Sequence, residues 1–572
     1  MIQNNIFPND NTETQENDNG KIEVIAKTNG DLQDIAKELN AEIEILIQSY
    51  AIITIEKSKL PLLYTYPQIE HIEIPKNLYF EGASNLVSTC IRSVQDKNKY
   101  NLSGKGVIVA IIDSGIDYMH KDFQNPDSTS RILYIWDQTI EGNPPEGFYS
   151  GTEYNNQEIN QAINSTNPIQ VLPSIDYIGH GTAVAGIAVG NGAESGGVNT
   201  GVAPEADIII VKVGTKGYES FAQTTEFMRA LKYVIEKAIK LNKPISINMS
   251  YGTNNGSHYG DSLFETYITD ISSYWKSSIV IPTGNEGSAG HHFRGIALSN
   301  SIQEIEYFTA PGIESYYICL WKNFVDSFSV EIIFPNGVSS GIISTENQYK
   351  TIQQEDFVLN VLYGQPNHYS YNQEIFFNFK ATKTSIKPGV WKLRIISGII
   401  VDGNYDMWLP TIEEVTDKTF FSTPSIYNTL TIPSTAYKTI CVSGYNDRIS
   451  NITNFSGRGN SNLALPNPDV AAPADDVITT KAGGGYDSFS GTSIAAPFVT
   501  GSAALMMQWG ILNKNDPFLY GERIKAFIRL GAERKKGTIY PNSSYGYGTL
   551  CLDKTFEYLT KYQLGGEILW LR

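Results

Sequence analysis

The sequence predicts an α/β fold: a doubly wound, mostly parallel sheet that carries an N-terminal α+β module and an inserted antiparallel β-sandwich. Three observations point there. Continuous β-branched runs, GVIVAIIDSG, ADIIIVKVG, PISINMSYG, SSIVIPTGNEG and KTICVSGYN, read as central strands buried on both faces. Between the second and third of these lies FMRALKYVIEKAIKL, an amphipathic helix, and strands alternating with helices build parallel sheets with right-handed crossovers. After Gly290 the helical pattern stops. YYICLWKN, FSVEIIF, EIFFNFKAT and VWKLRIISG are short, aromatic and β-branched, with Gly, Pro and Asn between them, as in a sandwich.

Taken in order, residues 1–20 form a polar, acidic tail, MIQNNIFPNDNTETQENDNG, without the basic and apolar regions of a signal peptide. Residues 21–95 hold the small module and a linker. KIEVIAKTNG alternates as a strand, DLQDIAKELN has helical spacing, and AEIEILIQSYAIITIEK reads as two strands around Gln48–Tyr50. KLPLLYTYPQIEHIEI adds a short helix and a strand, completing a βαββαβ order that ends near Tyr79. The α/β domain occupies 96–294 and resumes over 429–572, ending in helices around GSAALMMQWG and GERIKAFIRLGA. The sandwich, 295–428, is inserted between its halves.

A chain of 572 residues exceeds one compact core, and a length prior gives roughly three or four domains. With 41% hydrophobic and 18% charged residues it is globular and not disordered. A net charge of −17 argues against nucleic acid or an anionic membrane as the main partner, because those recruit basic patches. No apolar run of about 18 residues marks a membrane span. Cys90, Cys319, Cys441 and Cys551 show no CxxC pairing or metal-like spacing. They are expected to be four reduced thiols, which suits an intracellular protein.

Reactive groups in open α/β sheets gather at the carboxyl ends of the strands. Asp113 ends GVIVAIID; alone it reads as a turn or capping aspartate. His180, in DYIGHGTAVAGIAVG, starts a helix of small residues, which permit close packing; alone it reads as a structural histidine. The other six, His71, His120, His258, His291, His292 and His368, keep that reading. Asn285 follows the strand IVIPTG, where a side-chain amide can donate to a developing oxyanion or serve as a loop residue. Ser493 lies in SFSGTSIAAPFVTG among several other hydroxyls, and a serine needs a positioned base before it becomes a nucleophile.

Together, AIIDSGID, GHGTAVAGI, the GNEG after a buried strand and SGTSIAAPFVTG resemble the four signature blocks of the subtilisin-like serine proteases, in that family's order. GVAPEADIIIVKV, NMSYG and PDVAAPADDVIT extend the likeness over residues 100–290 and 430–560. The resemblance implies a subtilisin-like fold and a serine endopeptidase. It further implies that Ser493 attacks the scissile carbonyl, His180 relays the proton, and Asp113 holds the imidazole. It implies too that Asn285 and the Ser493 N–H form the oxyanion hole. Pro497 is expected to be harmless as an early helical residue. The resemblance also implies that Ser250, Tyr251 and Gly252 line the specificity pocket with Gly284, and that Gly217, Tyr218 and Glu219 form the facing edge that pairs with an extended peptide. Pro282 and Thr283 stand where the family often has small residues.

The N-terminal module takes the position of a subtilase prodomain, and self-cleavage is expected within residues 82–100, with the stretch around Gln95 favoured. A prodomain combined with a sandwich between the Asn and Ser blocks is similar to the clostridial Csp germination proteases. There the insert is a jelly roll, the cleaved prodomain stays bound, and the substrate is a spore-cortex hydrolase zymogen. That resemblance implies synthesis in the cytoplasm and packaging in the spore. Two alternatives stand beside it: a general intracellular subtilase for protein turnover, and a catalytically silent germination pseudoprotease. The chemistry requires no cofactor. Family members often bind structural calcium, for which no ligand set is matched in this chain.

Overall fold

A computed structural model describes residues 20–47, 49–80, 88–214, 221–346, 348–365, 370–460 and 467–563. Its centre is a nine-stranded sheet in which Ile440–Asn446, Ser277–Pro282, Ile245–Met249, Ile108–Asp113, Asp207–Lys212 and Ile132–Asp137 lie side by side. All five contacts between these neighbours are parallel. The five strands expected from the apolar runs are present. Ile132–Asp137, the short antiparallel Thr152–Asn155 and Val470–Pro473 are additional.

Both faces of the sheet are covered, which explains the continuous apolar runs. Val109, Ile111, Ile208 and Ile210 face a core shared with the helices His180–Val189 and Thr492–Met507. Ile108, Ala110, Ile112, Ile209 and Val211 face the opposite core, with Thr224–Lys240 and Leu263–Ile271. The stretch Thr492–Leu512 is long and apolar enough to cross a membrane by composition, but it is mostly buried as a core helix of this domain.

The N-terminal module folds in the expected βαββαβ order, its four strands arranged Glu42–Ile45, Tyr50–Glu56, Lys21–Thr28, Ile69–Glu73. One face carries its own helices. The other packs on Thr224–Lys240 and Leu263–Ile271 through Ile25, Leu46, Ile47, Tyr50 and Ile52. The Tyr50 hydroxyl donates to Thr266 at 3.0 Å and Asp270 at 3.2 Å. Arg229 of the first helix is buried between Glu44, at 2.9 Å, and Glu23. The insert is a two-layer antiparallel sandwich, six strands facing four, between His292 and Phe421, around a separate core rich in Phe, Tyr and Ile.

The cysteines depart from expectation. Cys90 and Cys551 form a disulfide with Cα atoms 4.9 Å apart, across 461 residues of sequence. Folding brings the linker before the α/β domain beside that domain's last helix, a proximity that spacing along the chain does not reveal. Cys319 and Cys441 are free and buried.

Candidate active site

Asp113 is the last residue of the strand Ile108–Asp113 and is fully buried. Its Oδ1 accepts the Ser114 N–H at 2.8 Å and lies 2.7 Å from His180 Nδ1. The proton on this nitrogen therefore sits between imidazole and carboxylate, which fixes the tautomer and leaves Nε2 as the basic nitrogen. His180 is the first residue of its helix, entered through Gly179 in the left-handed conformation (φ 78°). Packing there is close: a Cβ on Gly181 would lie 2.2 Å from the Gly115 carbonyl.

What holds this helix start is Asp176, a buried carboxylate that the sequence reading did not single out. It accepts from Ser114 Oγ (2.7 Å), Gly179 N (2.9 Å), Thr182 N (2.8 Å) and Thr182 Oγ1 (2.6 Å). The N–H groups at a helix start lack partners within the helix, and Asp176 supplies acceptors while placing negative charge at the positive end of the dipole. Its signal in the sequence is its position four residues before His180.

Ser493 is the second residue of the helix Thr492–Met507 and is buried, with no hydrogen-bond partner for its Oγ among the described residues. Pro497 is the sixth residue of that helix, deeper than the first-turn position expected for it. Having no N–H, it leaves the Ser493 carbonyl without its helical donor, and Ser250 Oγ donates there instead at 3.2 Å. Ser250 is held by Asn248 Nδ2 (2.8 Å), and Asn248 in turn accepts from Thr500 Oγ1 (2.9 Å). The proline thus links the turn that carries Ser493 to the strand Ile245–Met249.

Asn285 follows the strand Ser277–Pro282. Its Oδ1 accepts from Thr492 N at 3.1 Å and Thr492 Oγ1 at 3.2 Å. With the oxygen fixed, the amide NH₂ is the uncommitted pole beside the first turn of the Ser493 helix. Gly284 is left-handed (φ 85°), and a Cβ there would strike Thr431 at 2.5 Å.

Tyr251 and Gly252 form a short strand that pairs antiparallel with Asn77–Phe80, Gly252 opposite Tyr79 and Tyr251 opposite Phe80. On its other side the same N-terminal strand pairs with Phe221–Gln223. The chain's own segment is therefore clasped as the middle strand of three, between the wall expected to line the pocket and an opposing edge. Gly217, Tyr218 and Glu219 lie outside the described residues. The Tyr251 phenol is pushed well above its ordinary pKa by burial, and further by Asp113 and Asp176, so it stays neutral.

Gln95, favoured as a cut site from sequence, is elsewhere. It lies in the helix Arg92–Gln95, and its side chain donates to the carbonyls of Gly201 and Val202. Three of the other histidines have stacking or backbone partners away from this site. His258 and His292 stack on either side of Trp408, with centroids 4.1 and 4.8 Å away, and His120 bonds the Gly485 carbonyl. Among the described residues, the only His, Cys, Asp and Glu group tight enough for a metal ion is Cys90, Glu533 and Cys551. Its two sulfurs are joined in the disulfide.

The Subtilase family profile matches residues 104–318 and 329–548. The chain belongs to the subtilase family. The profile of the Csp protease B prodomain also matches this subtilase, over residues 6–76. Its fold superposes on the Clostridium perfringens CspB protease with a TM-score of 0.75 and 36% identity, covering 83% of this chain and 97% of that one. The PII-type proteinase of Lactococcus lactis subsp. cremoris is 25% identical over 501 residues, covering 80% of this chain and 25% of the relative. A subtilisin of Bacillus sp. (strain TA39) is 28% identical over 184 residues, 32% of this chain and 35% of the relative. This subtilase spans a quarter of the length of the first of these curated relatives.

Proposed function

We propose that the chain is a serine endopeptidase that works through an acyl-enzyme and whose first substrate is its own N-terminal module. Ser493 Oγ attacks the scissile carbonyl while His180 Nε2 takes its proton and returns it to the leaving amine. Asp113 keeps the imidazole in the tautomer that leaves Nε2 basic and stabilises the imidazolium. The Asn285 amide and the Ser493 N–H receive the oxyanion, and no cofactor takes part. Ser250, Tyr251, Gly252 and Gly284 bind the residues before the scissile bond, across the clasped strand from Phe221–Gln223.

The observation that carries this reading is the clasped strand Asn77–Phe80. An extended chain added between two edges is how a peptide is presented for cleavage. Phe80 faces Tyr251, one residue short of Ser250, whose hydroxyl bonds the Ser493 carbonyl. Counting that register one residue on from Phe80, the bond proposed for the cut is the one between Glu81 and Gly82.

The likeness to CspB over both prodomain and body supports a narrower substrate: the zymogen of a spore-cortex hydrolase, cleaved during germination by an enzyme made in the cytoplasm and packaged in the spore, with its cut prodomain still bound. The test of the chemistry is expression of the wild type beside Ser493→Ala, His180→Ala and Asn285→Ala. The wild type is expected to split into two fragments, the first two variants to stay intact, and the third to split about 10²–10³-fold more slowly. A Ser493→Ala chain that still splits overturns the proposal.

A further inference from the structure

Beside the candidate oxyanion donor lies a carboxylate to which the triad chemistry assigns no role. Glu286, the residue after Asn285, is buried. Its Oε2 accepts from Asn254 Nδ2 at 3.0 Å and lies 2.6 Å from His291 Nδ1, and its Oε1 accepts the backbone N–H of Ile412 at 2.9 Å. These partners come from three segments. Asn254 sits two residues beyond the strand Tyr251–Gly252. His291 immediately precedes the first strand of the sandwich, and Ile412 opens a short helix near its last strand. Asn254 also donates to the Leu409 carbonyl at 3.0 Å, and Leu409 N–H donates to the His291 carbonyl at 2.9 Å, closing the ring.

From this geometry we propose that Glu286 is a positioning residue for Asn285, and that the β-sandwich insert acts on the reaction centre through it. A buried carboxylate survives only when charge and hydrogen bonds compensate it. Here Ile412 of the insert and His291, the residue leading into its first strand, supply two of the three donors. His291 is drawn toward the imidazolium by the adjacent carboxylate, against burial, which alone would lower its pKa. Glu413 also faces the group; burial first, then Glu286, pushes its carboxyl up to about 7. The peptide bond joining Asn285 to Glu286 is then fixed from both sides. Thr492 holds the Asn285 amide oxygen, and the insert holds the next side chain. An oxyanion donor displaced by about 1 Å loses about 10²-fold in rate.

The inference rests on the proposed self-cleavage, which provides its readout. The full chain is unfolded, diluted to refold, and followed by two signals: intrinsic tryptophan fluorescence for folding and gel densitometry for the cut. Glu286→Gln keeps the shape but turns one acceptor oxygen into a donor facing other donors. The expected result is folding at the wild-type rate with cutting about 10–100-fold slower. In an Asn285→Ala background the same substitution is expected to add less than about threefold, because both changes act through one group. His291→Gln is run through the same cycle and carries the test if Glu286→Gln does not fold. Equal slowing in both backgrounds overturns the proposal, as does unchanged cutting by either variant. A wild-type chain that folds and never cuts fails the self-cleavage reading instead, and that outcome is distinct.

Discussion

The strongest perturbation of the contact between prodomain and body is Arg229→Met. Arg229 lies in the helix Thr224–Lys240, is buried, and pairs with Glu44 and Glu23 of the N-terminal sheet. Removing one partner of a buried ion pair costs about 3–5 kcal/mol, because the charge left behind has neither water nor counterion. Glu23 retains a fifth of its side-chain exposure, so we take the lower end. About 3 kcal/mol corresponds to a roughly 10²-fold loss of affinity between the cut prodomain and the body. The loss depends on pH. Burial raises the Glu44 pKa despite Arg229, which lowers it, and deleting Arg229 raises it further. A carboxyl whose pKa is raised in the complex favours binding below its free value and weakens it as pH rises. The Arg229→Met defect is therefore expected to be larger at pH 8 than at pH 5. The assay is size-exclusion chromatography of the processed protein, followed by titration of the body with labelled prodomain. Glu23→Leu/Glu44→Leu/Arg229→Met, which removes all three members of the two ion pairs, is expected to keep the two parts together. An Arg229→Met protein that titrates like wild type at pH 8 refutes the reasoning.

Two further outcomes are expected. Asp176→Asn replaces one of two oxygens that together accept four hydrogen bonds at the His180 helix start. It should slow self-cleavage about 10–100-fold through misplacement of the imidazole, read as a time course; cutting at the wild-type rate removes Asp176 from the account. The Glu265 carboxyl is pushed from 4.5 up to about 7 by burial, although Thr435 and Ser262 hydroxyls donate to it. Its folded-state pKa exceeds the unfolded one, so its contribution is complete below about pH 4.5 and about 3 kcal/mol is lost as pH rises to about 7. Glu265→Gln should then be more stable than wild type at pH 8, relative to their difference at pH 5, in urea unfolding. A difference that does not change with pH contradicts this.

The parts legible in the sequence are those with a local physical signature. Strands covered on both faces must be apolar at every position, so GVIVAIID and ADIIIVKV declare themselves. The strand Ile132–Asp137 does not, because Leu133 and Tyr134 are only partly buried beside an antiparallel edge. Asp113, His180, Asn285 and Ser493 were readable as an ordered set of motifs, each ambiguous alone. What holds them was not. Asp176 is an ordinary loop aspartate until its four donors are in view, and Pro497 looks harmless by position until the helix start at Thr492 shows that it frees a carbonyl, which Ser250 takes. Glu286 gains its meaning from donors that lie in the insert. Cys90 and Cys551 carry no spacing signal across 461 residues. The pairing of Asn77–Phe80 between two edges, which no residue of that stretch announces, is likewise a product of folding.

The central claim is that Ser493 cuts this chain at the bond its own clasped strand presents. Intact-mass analysis of purified wild type and Ser493→Ala protein, with N-terminal sequencing of the larger fragment, tests it most directly. The account predicts fragments 1–81 and 82–572 in the wild type, a new N-terminus at Gly82, and a single uncut chain in the variant. An intact wild-type chain, a cut present in both proteins, or a new N-terminus beyond Cys90 would contradict it.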